Sequence, residues 1–175
     1  MADKRKGRRT LLLLAAVCAL PVVASYATYY LWQPDGRTNY GELIEPRPMP
    51  SPLAAAAAPA KGRWTLVYAS EGPCDAACET ALYYMRQVRT AQGEHMDRVE
   101  RLWLRAGESP TAAPPTADGL IVADVGREAL AKLPATERVL LVDPLGNLML
   151  RFPADPDPKR MIRDLSRLLK YSRIG

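Results

Sequence analysis

A chain of 175 residues, 48% hydrophobic and 25% charged, can build one core of domain size and leaves little room for a second. Its net charge of +5 sits almost wholly in the first ten residues, where Lys4, Arg5, Lys6, Arg8 and Arg9 face only Asp3. The rest of the chain is near neutral, so its composition excludes the broad basic surface of a nucleic-acid binder.

After that basic tail (residues 1–10) comes "LLLLAAVCALPVVASYATYYLW", residues 11–32, which no charge interrupts. As a helix it would be about 33 Å long, enough to cross a bilayer. Tyr26, Tyr29, Tyr30 and Trp32 crowd its far end, as in an interfacial aromatic belt. The basic tail predicts a cytoplasmic N-terminus and an exported remainder, on the far side of a bacterial inner membrane. A cleavable signal is the alternative, with Ser25-Tyr26-Ala27 as a small-residue site, but the apolar run is long for a signal core. Cys18 lies within this span and reads as a small apolar residue.

Residues 33–61 hold a five-alanine run and prolines at 46, 48, 50 and 52, which predicts an extended, semi-rigid tether. The piece "RTNYGELIEP" within it is less low-complexity and reads as an extended lead-in, with docking on the domain or on a partner as the alternative. The globular pattern is expected over residues 62–175. "RWTLVYAS" reads as a strand, and Gly72-Pro73 breaks it. Asp75 is a suitable N-cap for a helix whose apolar stripe is Cys78, Ala81, Leu82, Met85 and Val88, ending near Gly93. "VERLWLRAG" is a second strand, with Leu102, Leu104 and Ala106 on one face and Trp103 on the other, under a helix or against a partner. A loop, "ESPTAAPPTADG", leads to a short strand "LIVAD" and a short helix "GREALAKL". "ERVLLVDPLGNLMLRFP" has the turn chemistry of a β-hairpin around Asp143–Asn147. The last segment is an amphipathic helix with Met161, Ile162, Leu165, Leu168 and Leu169 inward. Lys159, Arg160, Arg163, Arg167 and Lys170 form its outer face, which reads as solvated or as a contact for anionic lipid or an acidic partner.

The order β-α-β, β-α, hairpin, helix predicts an α/β, thioredoxin-like domain, a mixed sheet with helices on both faces. It puts Cys74 and Cys78 of "EGPCDAACET" at the end of the first strand of that domain, opening the first helix. Two cysteines four apart at a helix start share a face. They can form a disulfide, exchange one, or clip a soft ion such as Cu(I), and the helix dipole favours the thiolate. Cys74 should be the exposed, attacking thiol and Cys78 the buried one. A purely structural disulfide, or an incidental pair in a non-catalytic interaction module, are the other readings.

The anchor, "GPCDAAC" with its C-x-x-x-C spacing, "LIVADVGREALAKL" and "VLLVDPLGNLMLRF" together resemble the Sco/SenC group of membrane-anchored, thioredoxin-like cytochrome c oxidase assembly factors. The likeness covers roughly residues 62–170. It implies Cu(I) or thiol handling at Cys74 and Cys78, with oxidase subunits or other assembly factors as partners. That family also uses a histidine shortly before the hairpin, where this chain has "LPATERVLL", and an acidic segment that "LRAGESP" does not reproduce. Glu137 and Arg138 stand where a redox-active thioredoxin keeps a cis-proline. The single histidine, His95, would lie roughly 25 Å from Cys78 along a helix and is predicted not to be a ligand.

Overall fold

A computed structural model describes residues 2–31, 39–107 and 119–175, with side chains from Lys6 onward. The chain divides into two units, Met1–Thr38 and Asn39–Gly175. The first unit is one helix, α1 (Ala2–Leu31), which runs through Pro21. Its stretch Lys6–Leu31 is long and apolar enough to cross a membrane, and its leucines, valines and tyrosines are exposed. Tyr30 stacks on Tyr26 at 6.3 Å and meets Tyr29 edge-on at 5.1 Å, so the far end carries a ring cluster. Trp32 lies outside the described residues.

The second unit is a six-stranded sheet in the order β1-β6-β5-β2-β3-β4. Its strands are β1 (Glu42–Pro48), β2 (Trp64–Ser70), β3 (Val99–Ala106), β4 (Ile121–Val125), β5 (Val139–Val142) and β6 (Asn147–Arg151). Strands β2, β3 and β4 run parallel, while β5, β6 and β1 add antiparallel neighbours. The helices are α2 (Ser51–Ala56), α3 (Ala76–Thr90), α4 (Arg127–Leu130) and α5 (Pro158–Tyr171).

Side chains alternate across the central strands and build two cores. Trp64, Leu66, Tyr68 and Trp103 meet the α3 stripe and Met161, Leu165 and Leu169 of α5. Val67, Ala69, Leu102, Leu104, Leu140 and Val142 meet Leu53 of α2 and Leu130 of α4 on the other face. Both faces of β2 are therefore covered, and all seven of its residues are buried. The expected α3 stripe is buried residue for residue.

The hairpin turn follows the expected chemistry. Asp143 Oδ1 accepts from the amides of Leu145 and Asn147, Oδ2 accepts from Asn147 Nδ2, and Gly146 takes φ +92°. The loop expected over 108–119 falls almost wholly outside the described residues.

The expected tether is where structure and expectation part. Within 33–61, residues 42–48 form β1 against β6, and 51–60 form α2 and a 3-10 turn with Leu53 fully buried. Alternating prolines suggest a spacer because they lack donors, yet an edge strand needs only some of them. Pro52 in the first turn of α2 costs no hydrogen bond. The segment Tyr40–Gly41 is also fixed. Both amides donate to Asp164 Oδ2 of α5 at 2.8 Å, and Tyr40 OH accepts from Asp157 N at 2.9 Å. Gly41 fits here because a Cβ would come within 3.1 Å of the Phe152 ring.

Candidate functional site

Strand β2 ends at Ser70, whose hydroxyl takes a hydrogen bond from Trp103 Nε1 at 3.0 Å in the core. Four residues later the chain reaches Cys74. Asp75 then caps α3, its Oδ1 accepting from Cys78 N at 2.9 Å. The cap sets the first turn, and the first turn brings the two cysteines together. Cys74 and Cys78 form a disulfide, their Cα atoms 5.2 Å apart. Cys74 is half-buried at the rim, and Cys78 is buried in the core among the α3 stripe. This is the asymmetry expected of an attackable sulfur and a sheltered one.

The loop before β5 closes the same end of β2. Glu137 N donates to Ala69 O at 2.8 Å, and Glu137 holds φ +56°, the one described non-glycine residue with positive φ. Such a conformation is strained for a side-chain-bearing residue. No peptide bond among the described residues is cis, and Glu137 and Arg138 precede Val139 as the sequence has them. Tyr68 lies beneath this corner. Burial pushes its phenol up to about 12, and the carboxylates of Glu137 and Asp75 push in the same direction. Tyr68 reads from sequence only as a β-former, and its place beside the pair shows only once Glu137 is folded against β2.

His95 sits in the 3-10 turn Gly93–Arg98 beyond the far end of α3, half-exposed, with Nε2 3.9 Å from Glu94 Oε1. It is not brought to the cysteines. Among the described residues, no group of three or more His, Cys, Asp or Glu side chains could hold a metal ion. The donors therefore do not fit a site of two cysteines and a histidine. The stretch from Glu108 that would carry an acidic segment lies outside the described residues.

Residues 64–172 match the family described as the transmembrane-like, thioredoxin-like, C-terminal domain, and residues 2–32 match its transmembrane-like N-terminal domain. The chain belongs to this transmembrane-like, thioredoxin-like family. Its N-terminal helix is thus the membrane-type segment of a two-part architecture. No curated protein matches the chain in sequence.

Solved structures agree on the fold. Yeast Sco1 is 14% identical, with a TM-score of 0.54 over 78% of this chain and 98% of that one. Yeast Sco1 with copper bound gives 0.52 at 12% identity, over 77% of this chain and 90% of that one. Copper-bound ScoI from Arabidopsis thaliana gives 0.52 at 11% identity, over 66% and 88%. The resemblance to Sco proteins drawn from the sequence therefore holds for the fold.

Proposed function

We propose that this chain is a membrane-anchored thiol–disulfide protein acting in cytochrome c oxidase assembly, with α1 in a bacterial inner membrane and the thioredoxin-like domain in the periplasm. The observation that carries the proposal is the Cys74–Cys78 disulfide at the start of α3, one sulfur half-buried at the rim and the other in the core. The positive-inside rule supports the topology, since the basic residues cluster before α1. The Sco-like fold supports the oxidase setting.

The exchange balances on sulfur alone. A substrate thiolate attacks Sγ of Cys74, a new S–S bond forms there, the Cys74–Cys78 bond breaks, and its electron pair leaves on Cys78 as thiolate. The first turn of α3 stabilises that thiolate through its dipole, and Asp75 partly opposes it. A second substrate thiolate then attacks the substrate sulfur of the mixed disulfide and releases Cys74. The substrate dithiol loses two electrons and the pair gains two.

The test uses the full chain on a Cys18→Ala background. Cys78→Ser should trap a mixed disulfide through Cys74, and Cys74→Ser should trap none. If neither variant traps a thiol, and the pair reduces only on unfolding, the disulfide is structural and the domain a non-catalytic scaffold. A second reading draws on the 5.2 Å Cα spacing. Once reduced, the two sulfurs are soft donors suited to carrying Cu(I) without a histidine. A Cu(I) titration of the reduced chain against a competing chelator, repeated with Cys74→Ser, decides it. Binding lost in the variant supports the clip, and absence of binding removes it.

A further inference from the structure

The chain enters its folded unit on α5. Asp164 holds the Tyr40 and Gly41 amides, Asp157 N donates to the Tyr40 hydroxyl, and the Arg160 guanidinium lies 4.1 Å from the centre of the Tyr40 ring. Chain length alone then limits the distance. Leu31 ends α1, and the nine steps to Tyr40 can span at most about 30 Å.

The outer face of that same helix is basic. Arg160, Arg163, Arg167 and Lys170 recur at helical spacing and are exposed, with Lys159 and Arg173 beside them. Of the acids nearby, Asp164 is buried against Tyr40–Gly41 and Asp157 caps the helix, while Asp155 is exposed just before it and offsets one of these charges. Lys159, Arg163, Lys170 and Arg173 form no ion pair among the described residues. Beyond the stripe, Tyr171 is 75% exposed and Ile174 is 47% exposed, an apolar end suited to the headgroup boundary.

We propose that the basic face of α5 docks the domain on anionic phospholipid of the membrane that holds α1, which rests on reading α1 as the anchor. Juxtamembrane basic clusters are drawn to anionic headgroups within a Debye length, and the entry point on α5 keeps this face within reach. Docking would hold the domain in one orientation, so that the cysteine pair meets membrane-bound substrates from a fixed direction.

The full chain, reconstituted in lipid nanodiscs, tests this by lysine acetylation read by mass spectrometry. Lys159 and Lys170 report on α5, while Lys61 and Lys132, which follow the short helices of the opposite layer, serve as controls. In discs containing phosphatidylglycerol, Lys159 and Lys170 should react on the order of fivefold more slowly than in phosphatidylcholine discs, with the difference lost in high salt. Lys61 and Lys132 should not change. Equal rates in both lipids, with the chain still in the discs, overturn the docking and leave the anchor standing. Slowing that salt does not reverse also overturns it. Equal rates in both discs but slow reaction in native membranes would assign the face to an acidic protein and overturn the lipid proposal. A chain that separates from the discs sinks the anchor reading and the docking together.

Discussion

The two layers that cover the sheet are built on different terms. On one side α3 and α5, of 15 and 14 residues, lay continuous stripes over Trp64, Tyr68, Trp103 and Phe152. On the other, α2 and α4 have six and four residues, and the core beneath them contains no aromatic residue. The long-helix layer encloses rings, and the short alanine-rich layer encloses only aliphatic and methionine side chains. The cysteine pair belongs to the first layer, where Cys78 is itself part of the stripe and its neighbours are locked by rings. A sulfur that must be sheltered is better placed there than under a single turn of helix.

Four perturbations probe this contrast, taken from large effect to small. Trp103→Ala removes the largest fully buried side chain and its bond to Ser70, and should cost about 3–5 kcal/mol in urea unfolding of the Asn39–Gly175 unit. Leu53→Ala tests whether the thin layer is integral. A cost of about 2–4 kcal/mol is expected if α2 is true cover, and almost none if residues 33–61 behave as a tether.

Tyr68 gives a pH signature of the thick layer. Its folded pKa is raised from 10.0 to about 12, so above pH 10 the unfolded chain releases a proton that the folded chain keeps. Its contribution is whole below pH 10 and is lost as pH rises toward 12, on the order of 2 kcal/mol. Tyr68→Phe should flatten that part of the stability curve, and an unchanged slope would assign the effect to other groups. The smallest change is expected from Glu137→Gly, which relieves the φ +56° conformation and removes a carboxylate near Tyr68. A gain of about 0.5 kcal/mol and a lower Tyr68 pKa should follow, the latter read by ultraviolet titration.

What the sequence displays depends on repeat length. Cys78, Ala81, Leu82, Met85 and Val88 span three turns, so their period is visible, as is that of Met161, Leu165 and Leu169. Leu53 on α2 and the adjacent Ala129 and Leu130 on α4 are too few, on helices too short, to leave a period to read. The hairpin was legible because Asp143, Gly146 and Asn147 each have a local task in the turn. Strand β1 was hidden by its prolines. At the site, the cap by Asp75 and the unequal burial of the cysteines followed from local spacing. The placing of Glu137 and Tyr68 did not, because it depends on a bond between Glu137 N and Ala69 O, 68 residues apart in the chain. The burial of Asp164 has no local signal either, since it comes from the returning Tyr40–Gly41 segment.

Strand β1 also has a bearing on how copies of the protein behave when crowded on one membrane. It closes one end of the sheet, and its outer rim would ordinarily invite a neighbouring chain to zip on. Pro46 and Pro48 withhold two donors from that rim, and an irregularity in register between Leu43 and Arg47 bends the ladder. The prolines that make the segment look unstructured are thus a guard against fibril growth by strand addition.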